Sequence, residues 1–211
     1  PVQNVGAYGV EVGDVISEVT VFDTVTKQIT TLQNVNCDFS YRHSIFKEKS
    51  NLVIMSVSFI LRTQPNPKIA YADLANRLTS DSSIEDIRNT VIAIRSEKFP
   101  DWTTVGTAGS FFKNPIVSPE VAQALVAKYP VLPTYKAASG QVKISLGYVL
   151  DKICGLKGFS IGHVRLYEHQ ALVLVAEKGA TTTEIQNFVK IISEKVFAHT
   201  AIQISQEVTE I

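Results

Sequence analysis

The hydrophobic period of this chain is two residues in its first third and shifts to 3.6 further on, which restricts it to folds mixing sheet with helix. Residues 15–22 (V-I-S-E-V-T-V-F) and 52–61 (L-V-I-M-S-V-S-F-I-L) are β-branched and partly alternating, which predicts two strands. Between them, 24–32 (T-V-T-K-Q-I-T-T-L) reads as a hairpin return. T-Q-P-N-P-K (63–68) holds two prolines and reads as a loop or linker. Ser83 then offers an N-cap ahead of an acidic first turn, and Ile84, Ile87, Val91 and Ile94 follow at helical spacing. That predicts a helix to position 97, stopped by Phe99-Pro100-Asp101.

A second unit is expected from residue 102, with the boundary at 98–105. Ser118-Pro119-Glu120 predicts a capped helix running through Leu125 to Tyr129. Leu146 to Cys154 reads as a short helix closed by Gly155, and Ala171 to Ala176 as the unit's buried strand. Thr182 or Thr183 is the expected cap of a last helix, in which Ile185, Phe188, Val189, Ile192 and Val196 form one apolar stripe. The alternating tail A-I-Q-I-S-Q-E-V reads as a final strand. The fold class is α+β.

Charge and cysteine usage narrow the function classes. Twenty basic residues balance twenty acidic ones, which argues against nucleic acid or an anionic membrane as partner. Cys37 and Cys154 lack metal-ligand spacing and read as reduced thiols of a cytoplasmic protein. His43, His163, His169 and His199 show no ligand spacing either, so no metal is assigned. No apolar run reaches the length of a membrane span, and no signal peptide is evident. The chain opens Pro1-Val2-Gln3-Asn4 without Met, which reads as the middle of a longer protein.

The sharpest segment is G-T-A-G-S-F-F-K-N-P (106–115), where small residues free the backbone to approach a ligand and a hydroxyl, an ammonium and an amide follow. It lacks the G-K-[S/T] ending of a P-loop and the G-x-S-x-G spacing of a nucleophile elbow. Spacing alone favours an ordinary Gly-rich turn feeding a strand.

A-G-S-F-F-K-N-P, however, resembles the active-site signature of UDP-N-acetylenolpyruvoylglucosamine reductases. P-V-Q-N-V-G-A-Y-G-V-E (1–11), S-Y-R-H-S-I-F-K (40–47) and Q-E-V (206–208) resemble further signatures of that family in the same order, as do L-K-G (156–158) and H-Q-A-L-V-L (169–174). The family usually has Pro where this chain has Gln206. The resemblance implies reduction of the enolpyruvyl group of a UDP-sugar by NADPH through FAD, giving UDP-N-acetylmuramate for peptidoglycan. It implies a catalytic trio: Ser110 as proton donor, with Arg42 and Glu207 stabilising the intermediate. Read alone, Glu207 is a solvated strand-end carboxylate.

The same resemblance places Val2, Gln3, Asn4, Gly6, Ala7, Tyr8 and Gly9 along the flavin. Tyr71, Lys98, Asn114, Tyr135 and Gln170 match substrate contacts, Lys98 and Asn114 at the diphosphate and Tyr71 as the covering tyrosine of a subclass with an extra loop. From sequence alone, Tyr71 could equally be a half-buried aromatic and Lys98 a helix-end residue. The implied organisation is the C-terminal part of an FAD-binding domain at 1–101, a smaller substrate-binding domain at 102–200, and a return strand with the catalytic glutamate at 201–211. The first strands of the flavin domain would precede Pro1. A monomer is expected. Two rival readings remain: another flavoenzyme of the same FAD-binding superfamily, and a non-catalytic UDP-sugar-binding module.

Overall fold

The computed structural model describes residues 1–209, and the chain divides into two compact units, Pro1–Ile92 and Ala93–Ile211. The last two residues of the expected return strand lie outside the described residues. Both units mix helix with antiparallel sheet, so the α+β class holds.

In the first unit, β1 (Gly6–Ala7) and β2 (Val10–Glu11) form a minimal hairpin. A three-stranded sheet follows, in the order β4-β3-β5, from β3 (Ile16–Asp23), β4 (Gln28–Gln33) and β5 (Leu52–Phe59). The predicted strands and hairpin return are all present. Ile16, Val19 and Val21 of β3 are buried together with Cys37 and Phe46. Positions 17, 18 and 20 of the same strand are only partly covered: Val19 and Val21 alternate onto the buried face, and Ile16 joins them past a register shift between Ile16 and Glu18. Burial raises the pKa of the Cys37 thiol above its ordinary value. The Pro-rich stretch 63–68 carries no regular element, and α1 (Ala72–Ala75) is a single turn.

Helix α2 (Ile84–Lys98) begins as its sequence predicts. The Ser83 Oγ accepts from the Asp86 amide at 3.1 Å, and the Asp86 carboxylate accepts from the Ser83 amide at 2.9 Å. The boundary between the units falls within this helix.

The second unit is built from short pieces. Ser118 caps α3 (Pro119–Lys128), accepting from Val121, with Pro119 in the first turn where a missing N–H costs nothing. β6 (Ile116–Val117), β7 (Thr134–Lys136) and β8 (Val142–Ile144) form one sheet, ordered β6-β8-β7. β9 (Ser160–Ile161), β10 (Val164–Leu166) and β11 (Leu174–Ala176) form another. The single strand expected at 171–176 is therefore shorter, one of six. Three-residue strands hold too few alternations to leave a period in the sequence.

The helix expected over 146–154 begins as α4 (Leu146–Tyr148), then widens into a π-turn at Val149–Ile153, with Gly155 at φ 62° beyond it. The last helix, α5 (Thr182–Thr200), is capped by Thr181 rather than Thr182 or Thr183. Thr181 wins because Glu184 stands three residues on, completing a reciprocal capping box at 2.8 and 3.2 Å.

Phe188, Val189, Ile192 and Val196 of the predicted stripe enter the core, and Phe188 stacks on Phe159 at 5.9 Å. Each such side chain contributes about 1.5–3 kcal/mol by leaving water, far more than helix propensity differences of a few tenths per residue. Beyond α5 the tail is not a regular strand. Ile202 is buried and pulls the chain inward, leaving Gln206 in a single bridge to Phe112.

Candidate functional site

In the first unit, two sequence motifs far apart along the chain are stitched together. Backbone hydrogen bonds between Ser40 and His43 at 3.1 and 3.2 Å close a tight turn with Tyr41 and Arg42 at its corner. Arg42 sits at φ 56°, a conformation a bulky side chain rarely adopts. Its Nη2 donates to the Gly6 carbonyl at 2.9 Å, its Nη1 lies 4.0 Å from Glu11 Oε1, and its side chain is 16% exposed. Lys47 donates to Gln3 Oε1 at 2.9 Å, and the Ser44 hydroxyl donates to the Val2 carbonyl at 2.7 Å.

Asn4 is 1% exposed, and its amide is consumed inside the unit. Its Nδ2 donates to Glu11 Oε2 at 2.7 Å and to the Ser40 carbonyl at 2.9 Å, while its Oδ1 accepts from Gly13 at 2.8 Å. Asn4, expected along a cofactor, thus serves as a buried lock joining three segments. Asparagine suits its φ of 42°, because its short polar side chain tolerates the left-handed region.

Val2, Val5 and Ala7 turn outward from that lock, and at Gly9 (φ 78°) a Cβ would meet nothing within 4 Å. The Gly9 carbonyl accepts from Lys68 at 3.4 Å. Tyr8 meets Tyr71 edge-on at 5.5 Å, so the tyrosine expected over a substrate is seated on the 1–11 segment.

In the second unit, the 106–115 segment is the hub of an irregular ladder. Gly106 pairs with Ala176 through two backbone hydrogen bonds, and Ser110 bridges Val173. Gly109 at φ 77° turns the backbone between these contacts, where a side chain would be strained. The Thr107 hydroxyl donates to the Leu174 carbonyl at 2.9 Å and accepts from the Gly109 amide at 3.2 Å. On the other side, the tail runs antiparallel, Lys113 donating to the Ser205 carbonyl at 2.9 Å and Glu207 to the Phe111 carbonyl at 2.7 Å. Glu207 therefore lies across from Phe111, the residue next to Ser110. Two of the three expected catalytic residues are neighbours within one unit, although 97 positions separate them in sequence.

The remaining candidates scatter over the same unit. The Asn114 side-chain oxygen accepts from the Leu146 amide at 2.9 Å, tying the segment to the start of α4. Gln170 Oε1 accepts from the Leu172 amide at 3.3 Å, and a Cβ on Gly147 would stand 3.3 Å from that oxygen. Tyr135 is half-exposed beneath the Lys143 ammonium, 5.9 Å from the ring centroid. Lys98 ends α2, where a cation complements the helix dipole. Beside it a cavity of about 410 Å³ is lined by Arg95, Ser96, Phe99, Pro100, Asp101 and Trp102.

Sequence reading passed over Glu11. It lies inside the 1–11 motif, but one carboxylate among twenty acidic residues carries no signal until the fold sets it beside a guanidinium.

Comparison with known proteins adds an independent line. Residues 101–211 match the family model described as UDP-N-acetylenolpyruvoylglucosamine reductase, C-terminal domain. A UDP-N-acetylenolpyruvoylglucosamine reductase of Neisseria gonorrhoeae is 41% identical over 214 residues, covering 98% of this chain and 62% of the relative. One from Porphyromonas gingivalis is 43% identical over 189 residues, covering 87% of this chain and 56% of the relative. A crystal structure of the Thermus caldophilus reductase superposes with a TM-score of 0.63 at 17% identity, covering 99% of this chain and 57% of that one, a likeness of fold. The chain spans 56–62% of the length of these two sequence relatives.

Proposed function

We propose, starting from the fact that this chain belongs to the UDP-N-acetylenolpyruvoylglucosamine reductase family, that it supplies the substrate-reducing residues of such a reductase. The observation carrying the proposal is the ladder that lays Glu207 beside the Ser110 segment. The reaction is reduction of the enolpyruvyl ether of a UDP-sugar to UDP-N-acetylmuramate. NADPH is the hydride donor and FAD the carrier.

The stretch from Val2 to Gly9 fits a flat aromatic cofactor. Val2 and Val5 present apolar side chains outward, Gly9 opens onto free space, and the polar Asn4 is withdrawn beneath. Val2, Gln3, Gly6, Ala7, Tyr8 and Gly9 would line the flavin, with Asn4 setting the backbone under them. A bound flavin supplies hydride for the β-carbon of the enolpyruvyl group.

The chain's own residues manage the charge that follows. Addition of hydride to the β-carbon leaves an electron pair on the α-carbon, delocalised into its carboxylate. The Arg42 guanidinium, fixed by the Gly6 carbonyl, stabilises that enolate at no cost of reorganisation. The Ser110 hydroxyl gives its proton to the α-carbon, completing addition of one hydride and one proton across the double bond. A hydroxyl is a weak acid, so its contribution comes from placement against a strongly basic carbon. Glu207 stabilises the intermediate by sharing a proton with the developing enol. Lys98 and Asn114 take the diphosphate, with Tyr71, Tyr135 and Gln170 as further substrate contacts.

The test is NADPH consumption by the full-length protein. It should depend on the enolpyruvyl UDP-sugar and yield the lactyl ether. Consumption equal with and without the sugar would favour another flavoenzyme activity. Tight binding of the sugar without any turnover would favour a non-catalytic module.

A further inference from the structure

We propose that Glu11 is a positioning residue for Arg42, acting through a carboxylate that the buried Asn4 fixes before any ligand arrives. The inference deepens the reading of Arg42 given above and rests on it. One Glu11 oxygen is held by Asn4 Nδ2 at 2.7 Å, and the other lies 4.0 Å from Arg42 Nη1. That second distance is too long for a direct hydrogen bond but within ion-pair range. Glu11 therefore acts on the guanidinium through its field, while the Gly6 carbonyl fixes the Nη2 edge.

Three features make the arrangement more than a chance surface pair. Gly6 and Glu11 are register partners across β1 and β2, so the carbonyl and the carboxylate that meet Arg42 come from one hairpin. A Cβ on Gly6 would stand 2.9 Å from Glu11 Cγ and 3.1 Å from Arg42 Nη1, so the close approach of these side chains requires glycine there. Arg42 is only 16% exposed and Glu11 35%, so the pair is screened on the Glu11 side and covered on the Arg42 side.

An anion beside the guanidinium has a chemical consequence. It holds the fork in one orientation and competes with an incoming substrate carboxylate. Ground-state affinity is thereby restrained, while the fork, already fixed in orientation, meets the enolate charge without reorganising. Removal of the Glu11 charge should therefore lower kcat without raising KM.

The test compares wild type, Glu11→Gln, Arg42→Ala and the double variant in the full-length protein. Glutamine keeps the shape and the acceptor for Asn4 but turns the group facing Arg42 from an anion into an amide. Stopped-flow traces separate flavin reduction by NADPH from reoxidation by the enolpyruvyl sugar. Glu11→Gln should slow reoxidation about 10- to 100-fold, the loss that follows when a group orienting a metal ligand is removed, taken here for a group orienting a guanidinium. KM for the sugar should be unchanged or lower and flavin reduction unchanged, and the double variant should be no slower than Arg42→Ala. Wild-type reoxidation in Glu11→Gln, or equal slowing of both half-reactions, overturns the inference. A variant that loses its flavin or fails to fold also overturns it, since Glu11 would then be a structural member. Wild type that shows no sugar-dependent reoxidation refutes the functional reading, and this inference with it.

Discussion

Substitution of Gly6 by alanine tests whether the Arg42 cradle sets the rate. Gly6 does not take a left-handed φ, so alanine introduces no backbone strain, and its whole effect is spatial. The new Cβ would stand 2.9 Å from Glu11 Cγ and 3.1 Å from both Arg42 Nη1 and the Val10 carbonyl oxygen, where ordinary contact begins at 3.4 Å. The Val10 carbonyl is backbone of the paired strand and yields little, so the two side chains must move. The deficits from 3.4 Å are 0.5 Å at Glu11 and 0.3 Å at Arg42. A misplacement of about 1 Å costs about 100-fold in rate; scaled log-linearly, these shifts cost about 4- to 10-fold, or about 0.8–1.4 kcal/mol of barrier. The assay is single-turnover reoxidation of the reduced full-length protein by the enolpyruvyl sugar, with flavin content measured on the same sample. Because Gly6 also lines the proposed flavin site, flavin reduction by NADPH is followed on the same sample, and reoxidation should slow more than reduction does. Unchanged reoxidation would refute the reasoning, because a guanidinium displaced by a few tenths of an ångström would then not control the step. Loss of bound flavin would show that the added Cβ acts through the cofactor contact proposed for Gly6 and not through Arg42.

Other residues lead to equally concrete expectations. Ser110→Ala should leave flavin reduction nearly intact and slow reoxidation by about a hundred- to ten-thousand-fold, the usual worth of a positioned general acid. Ser110→Cys should recover part of that rate, and equal effects on both half-reactions would make Ser110 a turn residue only. Lys98→Ala should raise KM for the UDP-sugar by an amount worth about 1–3 kcal/mol, while an unchanged KM would leave Lys98 as the end of α2. Glu184 predicts an acid-sensitive helix cap. Its pKa is lowered from 4.5 to about 2, first by the hydrogen bond from His163 and then by those from Thr181. Because the folded-state value lies below the unfolded one, this stabilisation is complete above about pH 4.5 and lost as pH falls towards 2. His163→Ala should lower Tm at pH 5, and the gap to wild type should narrow as pH falls through that window. A gap independent of pH would sink this account.

The parts of the fold legible in sequence are those whose burial is periodic. The stripe of α5 was readable because Phe188, Val189, Ile192 and Val196 all face one core, and β3 because it is rich in β-branched residues of which Val19 and Val21 alternate onto the covered face. Caps were readable where the partner stands at fixed spacing, as at Ser118 and Ser83. The cap of α5, expected at Thr182 or Thr183, falls at Thr181 because three threonines precede Glu184 and only the hydrogen bonds choose among them. The short strands β6 to β10 left no period to read, and β11 showed only as an apolar run. The tail failed as a strand because alternation at Ile202 and Ile204 serves burial of a bent segment, with Gln206 alone pairing in the described residues.

The candidate site was legible in a different way, and the structure explains the contrast. Its residues sit where regular backbone is interrupted: Arg42 at φ 56° on a turn corner, Ser110 just after Gly109 at φ 77°, and Glu207 on a tail held by separate hydrogen bonds. No hydrophobic period can mark such positions, because each is fixed by contacts from distant segments. Only strings of residue types carried them, which is why resemblance pointed to Arg42, Ser110 and Glu207 as candidates while spacing alone favoured a plain turn. The same logic explains why Glu11 escaped notice. Its partners, Asn4 and Arg42, lie 7 residues before it and 31 after it, and one approach requires the missing side chain of Gly6. A substitution there changes no motif letter that names a catalytic role. It does change the distance at which a guanidinium is held, and distance is what the proposed chemistry depends on.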